Sequence, residues 1–172
     1  QVKDLDKKIE LIKAELYFRN KELLKLNIDI QVVDDSYIID LSNNPELHTV
    51  LILEKLGPVN VKKINMNNTA IRRLDALKYM KIEELHAKNT GLFEMNDFTN
   101  HYSYLDAEGS KTDVSIYMKS RPLRFLNIHN SSFSNYHIRP TLKYLQTLIV
   151  TKGKLPDAIR KQLPKDCHVI EK

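Results

Sequence analysis

His86, Asp106 and His129 are three side chains whose types could together ligate a metal or pass a proton. Imidazole titrates near neutral pH and a carboxylate can orient or accept from it. They stand 20 and 23 residues apart, too far to share one helix face. Tyr104 and Phe125 are 21 residues apart, and Asn127 follows Phe125 by two. Aromatic rings beside amide and carboxylate groups are the chemistry of recognition, through ring contact and hydrogen bonds. Intervals this regular require a repeated element that carries each residue to one shared surface.

That element is visible as a phrase: apolar, two variable residues, apolar, one variable, apolar, two variable, small polar. Val61, Ile64, Met66 and Thr69 make one copy, and Ile82, Leu85, Ala87 and Thr90 the next. Tyr102, Leu105, Ala107 and Ser110 follow, then Leu123, Leu126, Ile128 and Ser131, then Leu145, Leu148, Val150 and Gly153. The copies start at 61, 82, 102, 123 and 145, in steps of 21, 20, 21 and 22. Self-similarity at roughly 20–29 residues is the signature of a leucine-rich repeat solenoid. The expected fold is α/β, with short parallel strands on a concave face and an irregular or short-helical convex side. Such arrays serve as binding surfaces.

Strand residues alternate between inward and outward. Three columns should therefore line the exposed concave sheet. They read Lys63, Glu84, Tyr104, Phe125, Thr147; then Asn65, His86, Asp106, Asn127, Ile149; then Asn67, Lys88, Glu108, His129, Thr151. Neighbouring strands are about 4.8 Å apart, so Tyr104 and Phe125 should lie side by side. The candidate binding residues are Tyr104, Phe125, His86, Asp106, Asn127 and His129. A lateral His–Asp contact on an open sheet is a surface hydrogen bond unless a pocket and a third orienting group complete it. The expectation is a binding surface with no catalytic set, no metal site and no cofactor. Lys63 with Glu84, and Lys88 with Glu108, should form cross-strand charge pairs. Asn43, Asn68, Asn89, Gly109 and Asn130 precede the small polar residue and suit the sharp turn after each strand. Both of these columns read as structural, because the turning backbone needs partners.

The repeats need ends. Leu5, Ile9, Ile12, Leu16, Leu23 and Leu26 form a heptad seam in a helix over 3–27, interrupted at Arg19. Residues 1–27 are thus an N-terminal heptad helix, and 28–172 a repeat domain of about six repeats with a C-terminal cap. The helix either covers the open end of the first repeat or joins two chains as a homodimer through residues 5–26. Residues 28–36 read as a short irregular or extended connector. Ile39, Leu41 and Asn44 fit a divergent first repeat, but Ser36 stands where its first apolar residue should be. Val50, Leu51, Leu53 and Leu56 should fill its longer return with a short helix, stopped by Gly57-Pro58. Ile71, Leu92, Phe133 and Leu155 should point inward on later returns, and Thr112 marks the least regular one. A short helix after Pro156 and a strand over His168-Val169-Ile170 should close the far edge.

Composition narrows the partners. The 172 residues suit one domain, with 42% apolar and 28% charged residues. The formal charge of +5 is spread along the chain, densest at Lys119, Arg121 and Arg124, which argues against a nucleic-acid footprint. No apolar run reaches the ~20 residues of a membrane span. The first residue is Gln1 and not Met, which reads as a piece of a longer protein. A lone Cys167 excludes an internal disulfide and reads as a small buried apolar residue. No Gly-rich loop, His-Arg-Asp phrase or Asp-Phe-Gly is present.

Three stretches carry a family resemblance: Leu24-Lys25-Leu26-Asn27 leading to "IIDLSNNPEL" at 38–47, "INMNNTAIRRLDAL" at 64–77, and "LQTLIVTKGKLPDAIRKQLPKDCHVI" at 145–170. Together they resemble the leucine-rich-repeat-like C-terminal regions of transmembrane serine/threonine kinases from planctomycete and lentisphaera-type bacteria. The resemblance implies a non-catalytic sensor or interaction portion of a larger receptor-like protein. It also implies a protein or peptide ligand, a membrane tether upstream and an extracytoplasmic position. Residues 91–120 depart from the family phrase.

Overall fold

The computed structural model describes residues 2–19, 27–92, 102–110, 123–131 and 141–172. Its frame is one eight-stranded sheet in which every strand neighbours its sequence neighbour, β1 to β8 in order. β1 (Asp29–Val33) pairs antiparallel with β2 (Ser36–Asp40). Parallel pairings then run through β3 (Asn60–Asn65), β4 (Lys81–His86), β5 (Tyr104–Asp106), β6 (Phe125–Asn127), β7 (Thr147–Val150) and β8 (His168–Glu171). Two helices, α1 (Val2–Arg19) and α2 (Asp157–Arg160), lie near its two ends in sequence. The result is an α/β architecture built around a mostly parallel sheet. Among the described residues, no helix is long and apolar enough to cross a membrane.

The repeated apolar positions make the core. Val61, Ile64 and Met66, their counterparts Ile82, Leu85 and Ala87, and the three later sets are all buried. Ile71, Leu92 and Leu155 point inward from the returns, while Thr112 and Phe133 lie outside the described residues. Short 3-10 turns at Leu51–Leu56, Asp75–Leu77 and Thr141–Tyr144 carry the chain back. Val50, Leu53 and Leu56 are buried as expected, but Leu51 faces solvent. Gly57 ends that first turn at φ 74°, with its N–H donating to the Glu54 carbonyl at 3.0 Å.

The turn columns do what their chemistry suggests. Asn43, Asn68, Asn89 and Asn130 all adopt positive φ, as do Gly109 and Gly153. Asn is among the few side chains that enter this region readily. Asn68 donates through Nδ2 to Asn43 Oδ1 at 2.8 Å, and Asn89 to Asn68 at 3.2 Å, so the amides form a ladder. Behind it, the hydroxyls of Thr69, Thr90 and Ser131 donate to the carbonyls of Met66, Ala87 and Ile128 at 2.8, 2.9 and 2.6 Å. Ser110 occupies the same column, but its hydroxyl finds no partner among the described residues.

The start of the chain departs from expectation in two places. Residues 28–36 are not a plain connector: β1 turns back through Asp34 and Asp35, both at positive φ, to form a two-residue hairpin with β2. This antiparallel strand covers the edge that the first repeat would otherwise expose. The first apolar place of that repeat belongs to Tyr37, not Ser36. A register shift between Tyr37 and Ile38 pairs Tyr37 with Val61, and Tyr37 is 6% exposed.

α1 packs on its own domain. Ile9 and Ile12 belong to the same apolar core as the strands, and Glu15 forms an ion pair with Lys55 on the first 3-10 turn. Leu23 and Leu26 of the expected seam lie outside the described residues. Asn44 anchors the chain where it enters β1: it accepts the Asn27 N–H at 3.0 Å and donates to the Asn27 and Leu41 carbonyls at 2.9 Å each. At the other end, Ile159 of α2 is buried and β8 completes the sheet.

Candidate functional site

The strand register sets the site. Lys63, Glu84, Tyr104, Phe125, Thr147 and His168 are consecutive partners across β3 to β8. Asn65, His86, Asp106, Asn127, Ile149 and Ile170 form the parallel row two residues further along. These are the columns expected from the repeat, extended by β8 at one end and, through Ile38 and Asp40 of β2, at the other. The face they line is less open than expected. All these side chains are half-buried except two, Asn127 at 3% and Ile149 at 8% exposure, which are buried, and His168, which is exposed. Side chains only one strand spacing apart shield one another.

Tyr104 and Phe125 lie on adjacent strands with ring centroids 4.2 Å apart and planes 4° apart. His86, one strand earlier and two residues along, stacks on the other side of Tyr104 at 4.7 Å and 28°. Three rings thus form a continuous shelf across β4, β5 and β6. Burial, and then the nearby Asp106 and Glu84 carboxylates, push the Tyr104 hydroxyl above the usual phenol range.

His86 meets Glu84 on its own strand, with Nε2 3.2 Å from Oε2. Glu84 is thus engaged along its strand, and the described residues show no ion pair between it and Lys63. Lys88 and Glu108 do pair, at 3.4 Å. Glu108 also accepts from Asn127 Nδ2 at 2.8 Å and lies 3.7 Å from Lys172 Nζ. The hydrogen bond from Asn127 is the largest influence on Glu108. With the two ammonium groups, it outweighs partial burial and holds the carboxyl below its ordinary range.

Asp106 and Asn127 have a structural task that the repeat pattern did not reveal. Asp106 Oδ1 accepts the Glu108 N–H at 3.1 Å, and Asn127 Oδ1 accepts the His129 N–H at 3.1 Å. Asp40 and Asn65 make the same contact with Ser42 and Asn67, at 2.9 and 3.0 Å. A short carbonyl-bearing side chain satisfying the amide two residues on fixes the turn after each strand. The signal was present in the sequence: Asp or Asn at one register in four rows, broken at His86 and Ile149. Lys172 was reachable too, as the next member of the column ending in Thr151. His129 turns along the loop. Asn130 Nδ2 donates to its Nε2 at 3.0 Å, which places the neutral ring's proton on Nδ1, a buried atom with no partner among the described residues.

His86, Asp106 and His129 do not converge. Among the described residues, no group of three or more His, Cys, Asp or Glu side chains is placed to hold a metal ion. Of the six candidates, His86, Tyr104 and Phe125 form the shelf, Asp106 and Asn127 brace its edge, and His129 stands apart. His101 and His137 lie outside the described residues. Cys167 is half-buried at the core's edge, where burial and then the Asp166 carboxylate push its thiol up. Comparison with protein-family models, curated proteins and solved structures finds no match for this chain.

Proposed function

We propose that the chain is a leucine-rich repeat solenoid whose strand face binds a protein or peptide. It would be the interaction portion of a larger receptor-like serine/threonine kinase. The observation that carries the binding reading is the His86–Tyr104–Phe125 shelf. Three stacked rings with rigid strand backbones beneath them offer apolar and π contact at low entropic cost. Beyond Asn127 the same row carries Ile149, which is buried, and half-buried Ile170, while Lys88, Glu108 and Lys172 supply a polar margin. An apolar centre with a polar rim is the anatomy of a protein interface.

Support for the repeat class is the 20–22-residue interval with one strand per interval. Support for the kinase attachment is the set of phrases at 38–47, 64–77 and 145–170. Selection from a random peptide display library tests the binding reading. Enriched peptides should bind the native protein and lose that binding to the Tyr104→Ala/Phe125→Ala double variant. Peptides that bind both proteins equally would place recognition elsewhere.

A further inference from the structure

A groove of about 420 Å³ lies between the returns of the first two repeats, away from the strand face. Its volume falls within the ~300–1,000 Å³ of small-molecule sites. One wall is His48, Thr49 and Leu51; the other is Arg72, Arg73 and Asp75, with Ala76 beneath. Both walls are anchored. Leu47 and Val50 bracket the first in the core, and Ile71 and Leu74 bracket the arginine pair, each of the four no more than 2% exposed. The Ala70 N–H donates to the Leu47 carbonyl at 2.9 Å and ties the two walls together.

The two arginines differ. Arg73 Nε donates to Asp75 Oδ2 at 2.7 Å, so this charge is compensated. Arg72 has no acceptor among the described residues. Arg72 is exposed, and its stem passes close to the next repeat: a Cβ at Gly91 would come within 3.1 Å of both Arg72 Cγ and the Ala70 carbonyl oxygen, so the bare glycine leaves room for both. Thr49 Oγ1 accepts the Leu51 N–H at 3.4 Å, which leaves its hydroxyl hydrogen free to donate. His48 contacts the Glu46 carbonyl through Nδ1 at 3.2 Å, leaving Nε2 turned elsewhere. Next to these donors, Leu51 is 53% exposed although every flanking apolar residue of its turn with a described side chain is buried.

We propose that this groove binds a phosphomonoester carried on an apolar body. The planar Arg72 fork would take two phosphate oxygens, the Thr49 hydroxyl a third, and Leu51 with Ala76 would meet the apolar part. The site is separate from the aromatic shelf and stands or falls independently of it.

Phenyl phosphate is the probe, followed by amide chemical shifts in the intact protein, with phenol and inorganic phosphate as comparisons. Saturable shifts at Thr49, Leu51 and Arg72 are expected, weaker with phosphate alone and absent with phenol. Arg72→Gln should weaken binding on the order of tenfold, the scale of a charge-assisted hydrogen bond. Gly91→Ala should also weaken it, by crowding the Arg72 stem and the Ala70 carbonyl. Arg124→Gln, an exposed arginine just before β6 and outside the groove's lining, should leave it unchanged. Equal shifts from phenol, unaltered affinity in Arg72→Gln, or no saturable shift would each overturn the assignment.

Discussion

The side-chain amide of Asn127 donates to the carboxylate of Glu108 at 2.8 Å, joining β6 to the loop that leaves β5. The same carboxylate faces Lys88 and Lys172, so one acidic group ties together rows that start on β4 and end after β8. Its pKa is held below the unfolded value, chiefly by the Asn127 hydrogen bond. Stability from this group is therefore present above the ordinary carboxylate range and lost as pH falls through the depressed folded value. Urea midpoints at pH 7 and pH 3 should show Glu108→Gln less stable at pH 7 and the gap largely closed at pH 3. A gap that is the same at both pH values would contradict the linkage.

The hydroxyl column offers an internal comparison. Thr90 Oγ1 donates to the Ala87 carbonyl at 2.9 Å, whereas Ser110 Oγ has no partner among the described residues. Thr90→Val leaves a buried carbonyl short of a donor and should cost about 1–3 kcal/mol. Ser110→Ala removes no such bond and should stay within about 0.5 kcal/mol. Chemical denaturation of the two variants checks the ranking, and equal losses would show that the hydroxyl bonds contribute little.

Asn44 is the clamp that joins the chain after α1 to the first repeat, through both backbone groups of Asn27 and the Leu41 carbonyl. It is 5% exposed, so its partners are screened from water. Asn44→Ala should lower stability by about 2 kcal/mol, and hydrogen exchange should accelerate at Asn27 and through β1. Exchange that accelerates only in the C-terminal strands would point to a different role.

α1 distinguishes a cap from an oligomerisation helix. Ile9 and Ile12 are 8% and 1% exposed within the protein's own core. Ile9→Asp with Ile12→Asp buries two charges and should cost more than about 3 kcal/mol. Light scattering should give the same mass for the variant and the native protein. A native dimer that the variant splits without losing its thermal midpoint would favour the coiled-coil reading.

The sequence made the sheet legible because one phrase repeated with buried residues at fixed places, and the same register placed Tyr104 beside Phe125. It was less informative wherever a single residue broke the interval. β2 is one residue short of the repeated phrase between its first two apolar places, so Tyr37 takes the place expected at Ser36 and Lys62 of β3 is left without a partner in the register, which no periodic count detects. The β1 hairpin turns through Asp34-Asp35 without the Asn-Gly or Asp-Gly signal that marks such turns. His86 could be placed in a row, but its stacking on Tyr104 depends on side-chain rotamers rather than on spacing. The turn-bracing role of Asp106 and Asn127 was readable in the column they share with Asp40 and Asn65. Asp106 and Asn127 hold up the surface by accepting the amides two residues on.

Recognition by the aromatic shelf is the central claim, and the most direct test is peptide affinity to native and Tyr104→Ala/Phe125→Ala protein, measured by calorimetry on a display-selected ligand. Both rings are half-buried on the strand face, so truncation should shift the thermal midpoint little compared with a core change. The predicted result is a loss of at least about 2 kcal/mol of binding, roughly thirtyfold, with the fold retained. Undiminished affinity in the folded double variant would contradict it.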